Sequence, residues 1–337
     1  MSNIIIIGGG SWGLAMAQML SNQHNVRVWE YNPHYVKELQ ETHCNSSLLP
    51  DFKLNDSILF SNDKNEVFAI DRVDLLIFAT PVSFVRNTVQ SFLPHIVKSN
   101  GLKAIVNLAK GLEQGSHKRM SEVLQDELPE EYHSIIATLS GPSHAEEVSK
   151  NVPTTVVIAG EDIQAIRFAR DTMSTPYFRA YSSTDIIGVE LGGTVKNIIA
   201  IAAGIVDGLA LGDNTKGALL TRGIAEITRL GVAMGAKAET FAGLSGIGDL
   251  ITTAISTHSR NRYVGFELGK GRKISDILGS MKMVAEGVYS SKAIWELKEE
   301  LKVVMPITDE VYNVLFVDKS PSQAVNDLMT RSLKDEI

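Results

Sequence analysis

A glycine-rich turn near the N-terminus limits what this chain can fold into. Residues 8–13 read G-G-G-S-W-G, which matches the pattern G-x-G-x-x-G. The β-branched run 4–7 precedes it, residues 12–20 have helical spacing, and residues 26–29 resemble a second strand. In this context the motif predicts a βαβ unit that binds the pyrophosphate of a dinucleotide at its helix N-terminus. The alternative is a glycine-rich turn without a ligand.

Each glycine of the motif has its own predicted role. Gly8 permits the tight turn, Gly10 lets the backbone approach the pyrophosphate, and Gly13 lets the helix pack closely against the strand. Ser11 and Trp12 lie in the same turn. We therefore expect both of them to contact the cofactor.

Glu30 follows the second predicted strand, 17 residues after Gly13. A carboxylate at this position typically binds the adenosine ribose hydroxyls, which favours NAD over its 2′-phosphorylated form. The alternative is a solvated surface glutamate. Tyr31 comes next and is expected to lie against the adenine.

The order of the predicted elements indicates two domains. Strand-like runs at 75–79, 104–108, 135–139, 154–159 and 177–181 alternate with helical segments, which predicts an α/β domain with a mostly parallel, doubly wound sheet. After Ser183 the pattern becomes helical, and residues 198–206 are apolar on every side, as in a buried helix. The prediction is a Rossmann-type dinucleotide-binding domain at 1–183 and an all-α substrate domain at 184–337.

Composition and charge exclude several classes of protein. The net charge of −7 is spread along the chain, which argues against a nucleic-acid partner. Cys44 is the only cysteine, so no intramolecular disulfide forms, and we interpret it as a bystander because no basic cluster activates it. Residues 1–26 carry no Asp, Glu, Lys or Arg, but polar residues interrupt them and a basic n-region is missing. They predict neither a signal peptide nor a membrane span, and we expect a cytoplasmic protein.

Two segments place candidate site residues where strands end. Residues 107–111, N-L-A-K-G, put Lys110 at the carboxyl end of a predicted strand, the edge where open α/β sheets bind ligands. Residues 140–146, S-G-P-S-H-A-E, also follow a strand, and Gly141 and Ser143 are expected to bring backbone donors to an anion. The alternatives are a surface lysine and an ordinary helix cap.

Two further segments lie in the helical half. In 190–197, E-L-G-G-T-V-K-N, Gly192 and Gly193 share a helix face with Lys196, which predicts open space for a small substrate; close helix packing is the alternative. Residues 258–262, H-S-R-N-R, follow the glycine-rich segment that contains Asp249. Arginine presents a planar fork matched to phosphate, so 258–262 predict a phosphate site, with a surface turn as the alternative.

Taken together, the motifs resemble the NAD(P)-dependent glycerol-3-phosphate dehydrogenases of the bacterial type. The segments that carry the resemblance are G-G-G-S-W-G, N-L-A-K-G-L-E, S-G-P-S-H-A-E-E, E-L-G-G-T-V-K-N-I-I-A-I-A-A-G, G-L-S-G-I-G-D-L and S-R-N-R. They occur in the order and spacing of the family and cover nearly the whole chain.

The resemblance implies reversible reduction of dihydroxyacetone phosphate to sn-glycerol 3-phosphate with NAD or NADP, serving glycerophospholipid synthesis, usually in a homodimer. It implies that Lys196 is the general acid/base and that Lys110 and Asp249 complete the catalytic set, with no metal. The implied substrate-binding residues are Lys110, Gly141, Ser143, Lys196, Asp249, Ser259, Arg260 and Asn261. The cofactor-binding residues, combining the motif and the resemblance, are Gly8, Gly10, Ser11, Trp12, Gly13, Glu30, Tyr31, Lys110, Ala145, Arg260, Val284 and Glu286.

One departure and two alternatives accompany the resemblance. Many members of the family carry Arg or His where this chain has Tyr31, and without that cation a preference for NADP is not expected. The first alternative is another two-domain dehydrogenase, acting on a hydroxy acid or a nucleotide sugar. Full oxidation of a sugar needs a nucleophilic cysteine, which Cys44 in the cofactor half does not provide. The second is a redox sensor that binds the dinucleotide without turnover.

Overall fold

An eight-stranded sheet forms the centre of the N-terminal half. The structure is a computed structural model that describes residues 1–281, 283–333 and 335. The sheet strands are β1 (Asn3–Ile7), β2 (Asn25–Trp29), β5 (Leu59–Ser61), β6 (Leu75–Phe78), β7 (Ala104–Asn107), β8 (Ile136–Ser140), β9 (Thr154–Gly160) and β10 (Phe178–Ser183). Their order is β10-β9-β8-β7-β6-β1-β2-β5, and every neighbouring pair is parallel except β8 and β9. The mostly parallel sheet predicted from the sequence is confirmed.

Three short strands were not predicted. Leu59–Ser61 extends the sheet beyond β2, and β3 (Cys44–Asn45) pairs with β4 (Leu49–Lys53) in a separate antiparallel ribbon. Segments of two to five residues are too short to show a periodic hydrophobic pattern. Their pairing therefore depends on the strands that they meet.

Helices cover both faces of the sheet, as a doubly wound fold requires. The helices of this half are α1 (Ser11–Ser21), α2 (Pro33–Thr42), α3 (Lys64–Val67), α4 (Val85–Ile96), α5 (Met120–Glu127), α6 (Ala145–Val148) and α7 (Ile163–Met173). Ile4 and Ile6 pack in the core that includes α1, α6 and α7, while Ile5 and Ile7 pack in the opposite core with α4 and α5. Alternate residues of β1 thus point to opposite faces of the sheet, and both sets are buried.

In the C-terminal half, all regular secondary structure of the described residues is helical. Its helices are α8 (Ile186–Gly208), α9 (Gly212–Ala233), α10 (Asp249–Ile255), α11 (Arg260–Gly269), α12 (Ile274–Ser280), α13 (Glu286–Glu300), α14 (Pro306–Phe316) and α15 (Pro321–Met329). A π-helical turn, Leu244–Gly248, leads directly into α10. Helix α8 is long and apolar enough to cross a membrane, but 89% of its most apolar window is buried inside the protein, as is usual for a core helix.

The chain divides into two compact units. The sheet unit comprises Met1–Glu113 and Lys118–Glu190, and the helical unit comprises Gln114–His117 and Leu191–Ile337. The predicted boundary after Ser183 coincides with the end of β10, and the division between the units falls inside α8, between Glu190 and Leu191.

Candidate functional site

The glycine-rich turn is held tightly between β1, β6 and α1. Gly8 has a φ of +119°, and a Cβ atom there would lie 2.7 Å from the Ala79 carbonyl oxygen. A Cβ atom at Gly13 would lie only 1.9 Å from the Gly8 carbonyl oxygen. Neither position can hold a larger residue without moving the backbone. The tight turn and the close helix packing predicted from the motif are both observed.

The same turn leaves an opening at Gly10 and at the start of α1. Apart from the adjoining residues, no atom of the described chain lies within 4 Å of where a Cβ of Gly10 would be. Helix α1 begins at Ser11, and its N-cap residue is Gly10, which has no side chain to accept from the first N–H groups. The first N–H groups of a helix have no partner inside the helix, and the helix dipole adds positive potential there. The turn therefore fits the pyrophosphate of a dinucleotide.

Glu30 is buried directly behind this turn and is not a surface glutamate. Only 5% of the residue is exposed. Its Oε2 accepts a hydrogen bond from the Gly9 N–H at 2.9 Å, and its Oε1 accepts one from the Asn32 N–H at 3.0 Å. Burial raises the pKa of the carboxyl group above its ordinary value, although these backbone hydrogen bonds oppose the shift. The adjacent Tyr31 is 72% exposed.

Three of the predicted substrate-binding residues meet at the ends of β7 and β8. The Lys110 Nζ donates a hydrogen bond to the Gly141 carbonyl oxygen at 3.0 Å, and the Ser143 hydroxyl donates to the same oxygen at 3.1 Å. Gly141 has a φ of +136°, which favours glycine. Ala145 follows Ser143 by two residues, begins α6 and is buried. The two motifs that sequence analysis treated separately thus form one cluster.

A buried ion pair lies in the helical unit, where Lys196 of α8 contacts α10. The Lys196 Nζ is 2.6 Å from Asp249 Oδ1 and 2.6 Å from Thr253 Oγ1. The Thr253 hydroxyl is in turn 3.2 Å from Asp249 Oδ1, so the three side chains form a closed triangle. All three are buried. Asp249 is the first residue after the π-helical turn, a kind of distortion that is frequent at functional sites.

The open wall predicted beside Lys196 is not found at Gly192, so that prediction was wrong. A Cβ atom at Gly192 would lie 2.4 Å from the Ser245 carbonyl oxygen, in the π-helical turn. Gly193 is buried as well. Close packing, the alternative considered for Gly192, brings α8 against the segment that leads to Asp249. Because Gly192 has no side chain, the backbone of α8 can approach the π-helical turn. This approach brings Lys196 close to Asp249.

The S-R-N-R segment separates into exposed and buried positions. Ser259 caps α11, where its hydroxyl oxygen accepts from the Arg262 N–H at 3.2 Å. Asn261 is buried, and Arg260 between them is exposed. The second arginine, Arg262, binds Asp207 through two nitrogen atoms at 2.8 and 2.7 Å. The guanidinium of Arg262 thus holds α11 to α8, and Arg260 is the exposed arginine of the segment.

Asn261 connects α11 to two other helices. Its Nδ2 donates to Asn197 Oδ1 at 2.9 Å, and its Oδ1 accepts from the Gly287 N–H at 2.9 Å. Glu286 begins α13 just before this contact, and Val284 precedes it with 39% of its surface exposed. The buried side-chain amide of Asn261 therefore connects the predicted phosphate-binding segment of α11 to the start of α13, where Glu286 is a predicted cofactor residue.

Sequence reasoning missed Thr253 and Asn197. Thr253 follows Asp249 by four residues, or one helical turn, so the sequence spacing could have predicted that both lie on the same helix face. The pairing of Asn197 with Asn261 joins residues far apart in sequence and had no local signal. Within the described ranges, no three His, Cys, Asp or Glu side chains are grouped so as to hold a metal ion.

Comparisons with known proteins cover both units. The family described as NAD-dependent glycerol-3-phosphate dehydrogenase N-terminus matches residues 3–166, and the family described as the C-terminus of the same enzyme matches residues 185–326. The two matches together span most of the chain.

Relatives and solved structures are similar over nearly their full length. The chain is 46% identical to glycerol-3-phosphate dehydrogenase [NAD(P)+] of Latilactobacillus sakei, covering 99% of this chain and 98% of that one. It is also 46% identical to the protein of the same name from Geobacillus kaustophilus, covering 100% and 97%. The crystal structure of glycerol-3-phosphate dehydrogenase from Coxiella burnetii superposes with a TM-score of 0.91 at 35% identity, covering 98% and 99%.

Proposed function

The chain belongs to the NAD-dependent glycerol-3-phosphate dehydrogenase family, and we propose that it interconverts dihydroxyacetone phosphate and sn-glycerol 3-phosphate with NAD or NADP. The observation that carries the proposal is the buried triangle of Lys196, Asp249 and Thr253. A buried ion pair is expensive to desolvate and is often no more stabilising than apolar residues of the same volume. Its presence in the buried interior of the helical unit is therefore better explained by chemistry than by stability.

Lys196 acts as the general acid/base of this reaction. A nicotinamide dinucleotide supplies the hydride when it is bound, and the carbonyl oxygen of the substrate must then gain a proton. The ammonium group of Lys196 can give that proton and recover it in the reverse direction. Asp249 and Thr253 hold the Nζ atom in place, which limits the rotation of a side chain with four rotatable bonds.

Arg260 binds the phosphate end of the substrate. Arg260 is an exposed residue in the first turn of α11, where a helix N-terminus also favours anions. Ser259 and Asn261 flank it, and the buried amide of Asn261 fixes the direction in which α11 presents the arginine.

The sheet unit binds the dinucleotide. Gly10 leaves room for the pyrophosphate, the N–H groups at the start of α1 donate hydrogen bonds to it, and Ser11 and Trp12 contact it from the same turn. Lys110, Gly141, Ser143 and Ala145 form the part of the carboxyl edge that lies after β7 and β8. Because Tyr31 provides no cation for a 2′-phosphate, NADH is used at least as well as NADPH.

The family further supports three proposals about the setting of the enzyme. The chain acts in the cytoplasm, it forms a homodimer, and its product enters glycerophospholipid synthesis. Gel filtration with light scattering tests the homodimer, for which we expect twice the chain mass of 36.7 kDa.

An absorbance assay of NADH oxidation tests the reaction. We expect rapid turnover with dihydroxyacetone phosphate, much slower turnover with phosphate-free dihydroxyacetone, and none with 2-oxo acids. Turnover of a 2-oxo acid in preference to dihydroxyacetone phosphate would identify a hydroxy-acid dehydrogenase instead. Tight binding of NADH without turnover of any carbonyl compound would identify a redox sensor.

A further inference from the structure

The carboxylate of Glu30 joins two backbone segments beside the glycine-rich turn. One oxygen accepts from Gly9 in the turn after β1, and the other accepts from Asn32 at the N-cap of α2. The Gly8 N–H also donates to the Trp29 carbonyl oxygen at 2.9 Å, so the ends of the two strands are fixed together just below this point. Glu30 therefore extends the connection between β1 and β2 beyond the last strand pair.

The fit between Glu30 and Gly9 is close. A Cβ atom at Gly9 would lie 2.9 Å from the Cβ atom of Glu30 and 2.9 Å from its Oε2. The middle residue of G-G-G is free to vary in the G-x-G-x-x-G pattern, but here it has no room for a side chain. The glutamate side chain occupies that space and determines where the backbone of the turn can lie.

The hydrogen bonds also determine which N–H groups a ligand can use. The Gly9 N–H is buried and already donates to a carboxylate, a bond stronger than one to a neutral acceptor. It is therefore committed to Glu30 and not to the pyrophosphate. The N–H groups at the start of α1 remain for the ligand, provided that the turn keeps its shape.

We propose that Glu30 is a positioning residue, which holds the glycine-rich turn in the shape that accepts a dinucleotide and so affects NADH and NADPH equally. The proposal rests on dinucleotide binding by the proposed function, and it differs from ribose recognition, which would discriminate between the two cofactors. The hydrogen bonds of Glu30 join groups of the protein only, so they support the turn without a contribution from the cofactor. Binding then requires less ordering of the backbone.

The test compares cofactor affinities of the wild type and of Glu30→Gln. A glutamine amide has one acceptor oxygen and one NH₂ group, so it cannot accept from both Gly9 and Asn32. We expect the dissociation constants of NADH and NADPH, measured by fluorescence titration, to rise by the same factor of roughly ten, equivalent to about 1.4 kcal/mol. Weaker NADH binding with unchanged or tighter NADPH binding would overturn the proposal in favour of ribose recognition. Unchanged affinity for both cofactors would also overturn it.

Asp74→Asn is the matched control. Asp74 is likewise buried and accepts from a backbone N–H, that of Asn3 at 3.0 Å, but it lies at the opposite end of β1. We expect this variant to lower the melting temperature and to leave both cofactor affinities unchanged. A loss of affinity in Asp74→Asn as large as that in Glu30→Gln would mean that general destabilisation is the cause, and would overturn the proposal.

Hydrogen exchange in the wild-type protein gives an independent measurement if Glu30→Gln does not fold. NMR of the protein without cofactor should show a protected amide at Gly9, and adding NADH should protect Ser11 and Trp12 with little change at Gly9. An unprotected Gly9 amide that becomes protected only with NADH would overturn the proposal. If the wild type binds no nicotinamide dinucleotide at all, the proposed function itself fails, a different result from any of these.

Discussion

The two units present their candidate site residues in different ways. At the carboxyl edge of the sheet, backbone groups dominate, namely the N–H groups of the glycine-rich turn and the Gly141 carbonyl oxygen that binds Lys110. In the helical unit, the central feature is a buried pair of charged side chains, Lys196 and Asp249. Backbone groups can hold a ligand but do not exchange a proton with it during catalysis, whereas a buried ammonium group can also move a proton.

This difference predicts different consequences for substitutions in the two units. Replacing Lys196 in the helical unit removes the proposed proton donor and should lower kcat. Changes at the sheet edge should mainly alter how tightly ligands bind. The four predictions below test that contrast, beginning with the largest expected effect.

Lys196→Met should lower kcat by about 10²–10⁴-fold, the usual contribution of general acid–base catalysis, while NADH binding is retained. Lys196→Arg should not restore the rate, because an arginine side chain stays protonated. Steady-state kinetics and NADH titration measure both quantities. Lys298→Met is the control, because Lys298 is a buried lysine of the same unit that pairs with Asp309 at 2.5 Å. It should lose stability and keep its kcat; a Lys196→Met enzyme with near-normal kcat would refute the contrast.

Arg260→Ala should reduce kcat/KM for dihydroxyacetone phosphate by about 10–100-fold, the loss expected when charge-assisted hydrogen bonds to a phosphate are removed. Activity on phosphate-free dihydroxyacetone should change much less, because that substrate lacks the group that Arg260 binds. Arg262→Ala provides the control within the same motif, since Arg262 binds Asp207. We expect it to lower the melting temperature without this substrate selectivity. Equal losses on both substrates in Arg260→Ala would argue against a phosphate contact.

Lys110→Met should lower kcat/KM about ten-fold, since it removes one charge-assisted contact at the sheet edge. The loss should be smaller than that of Lys196→Met if Lys110 binds rather than transfers a proton. Lys103 precedes the same strand at its other end and pairs with Asp74, so Lys103→Met is the control and should keep full activity. If Lys110→Met is instead as inactive as Lys196→Met, Lys110 becomes a candidate proton donor.

Tyr31→Arg should tighten NADPH binding about five-fold and leave NADH binding unchanged, because an exposed arginine adds one screened contact to the 2′-phosphate. The gain should shrink in high salt. Tyr177→Arg places the same charge on another exposed tyrosine, beside the edge strand β10, and should have no effect. Strong preference for NADPH in the wild type would contradict the interpretation of Tyr31.

The sequence by itself determined the architecture and the positions of most candidate site residues. Hydrophobic periodicity gave the alternating strands and helices and the buried helix at 198–206, because both depend on neighbours within a few turns. The glycine-rich turn was equally accessible, since Gly8 and Gly13 are required by contacts within that turn and with the adjoining strands.

Only the tertiary structure decided which groups those residues bind. Glu30 reaches Gly9, Gly192 packs against Ser245, and Lys196 is paired with both Asp249 and Thr253. These contacts join residues about twenty to sixty positions apart. A local sequence pattern predicts a helix or a strand but not which distant residue packs against it. The physical reason is that a buried polar group is costly unless it is hydrogen-bonded. The tertiary fold determines which hydrogen-bond partners are within reach.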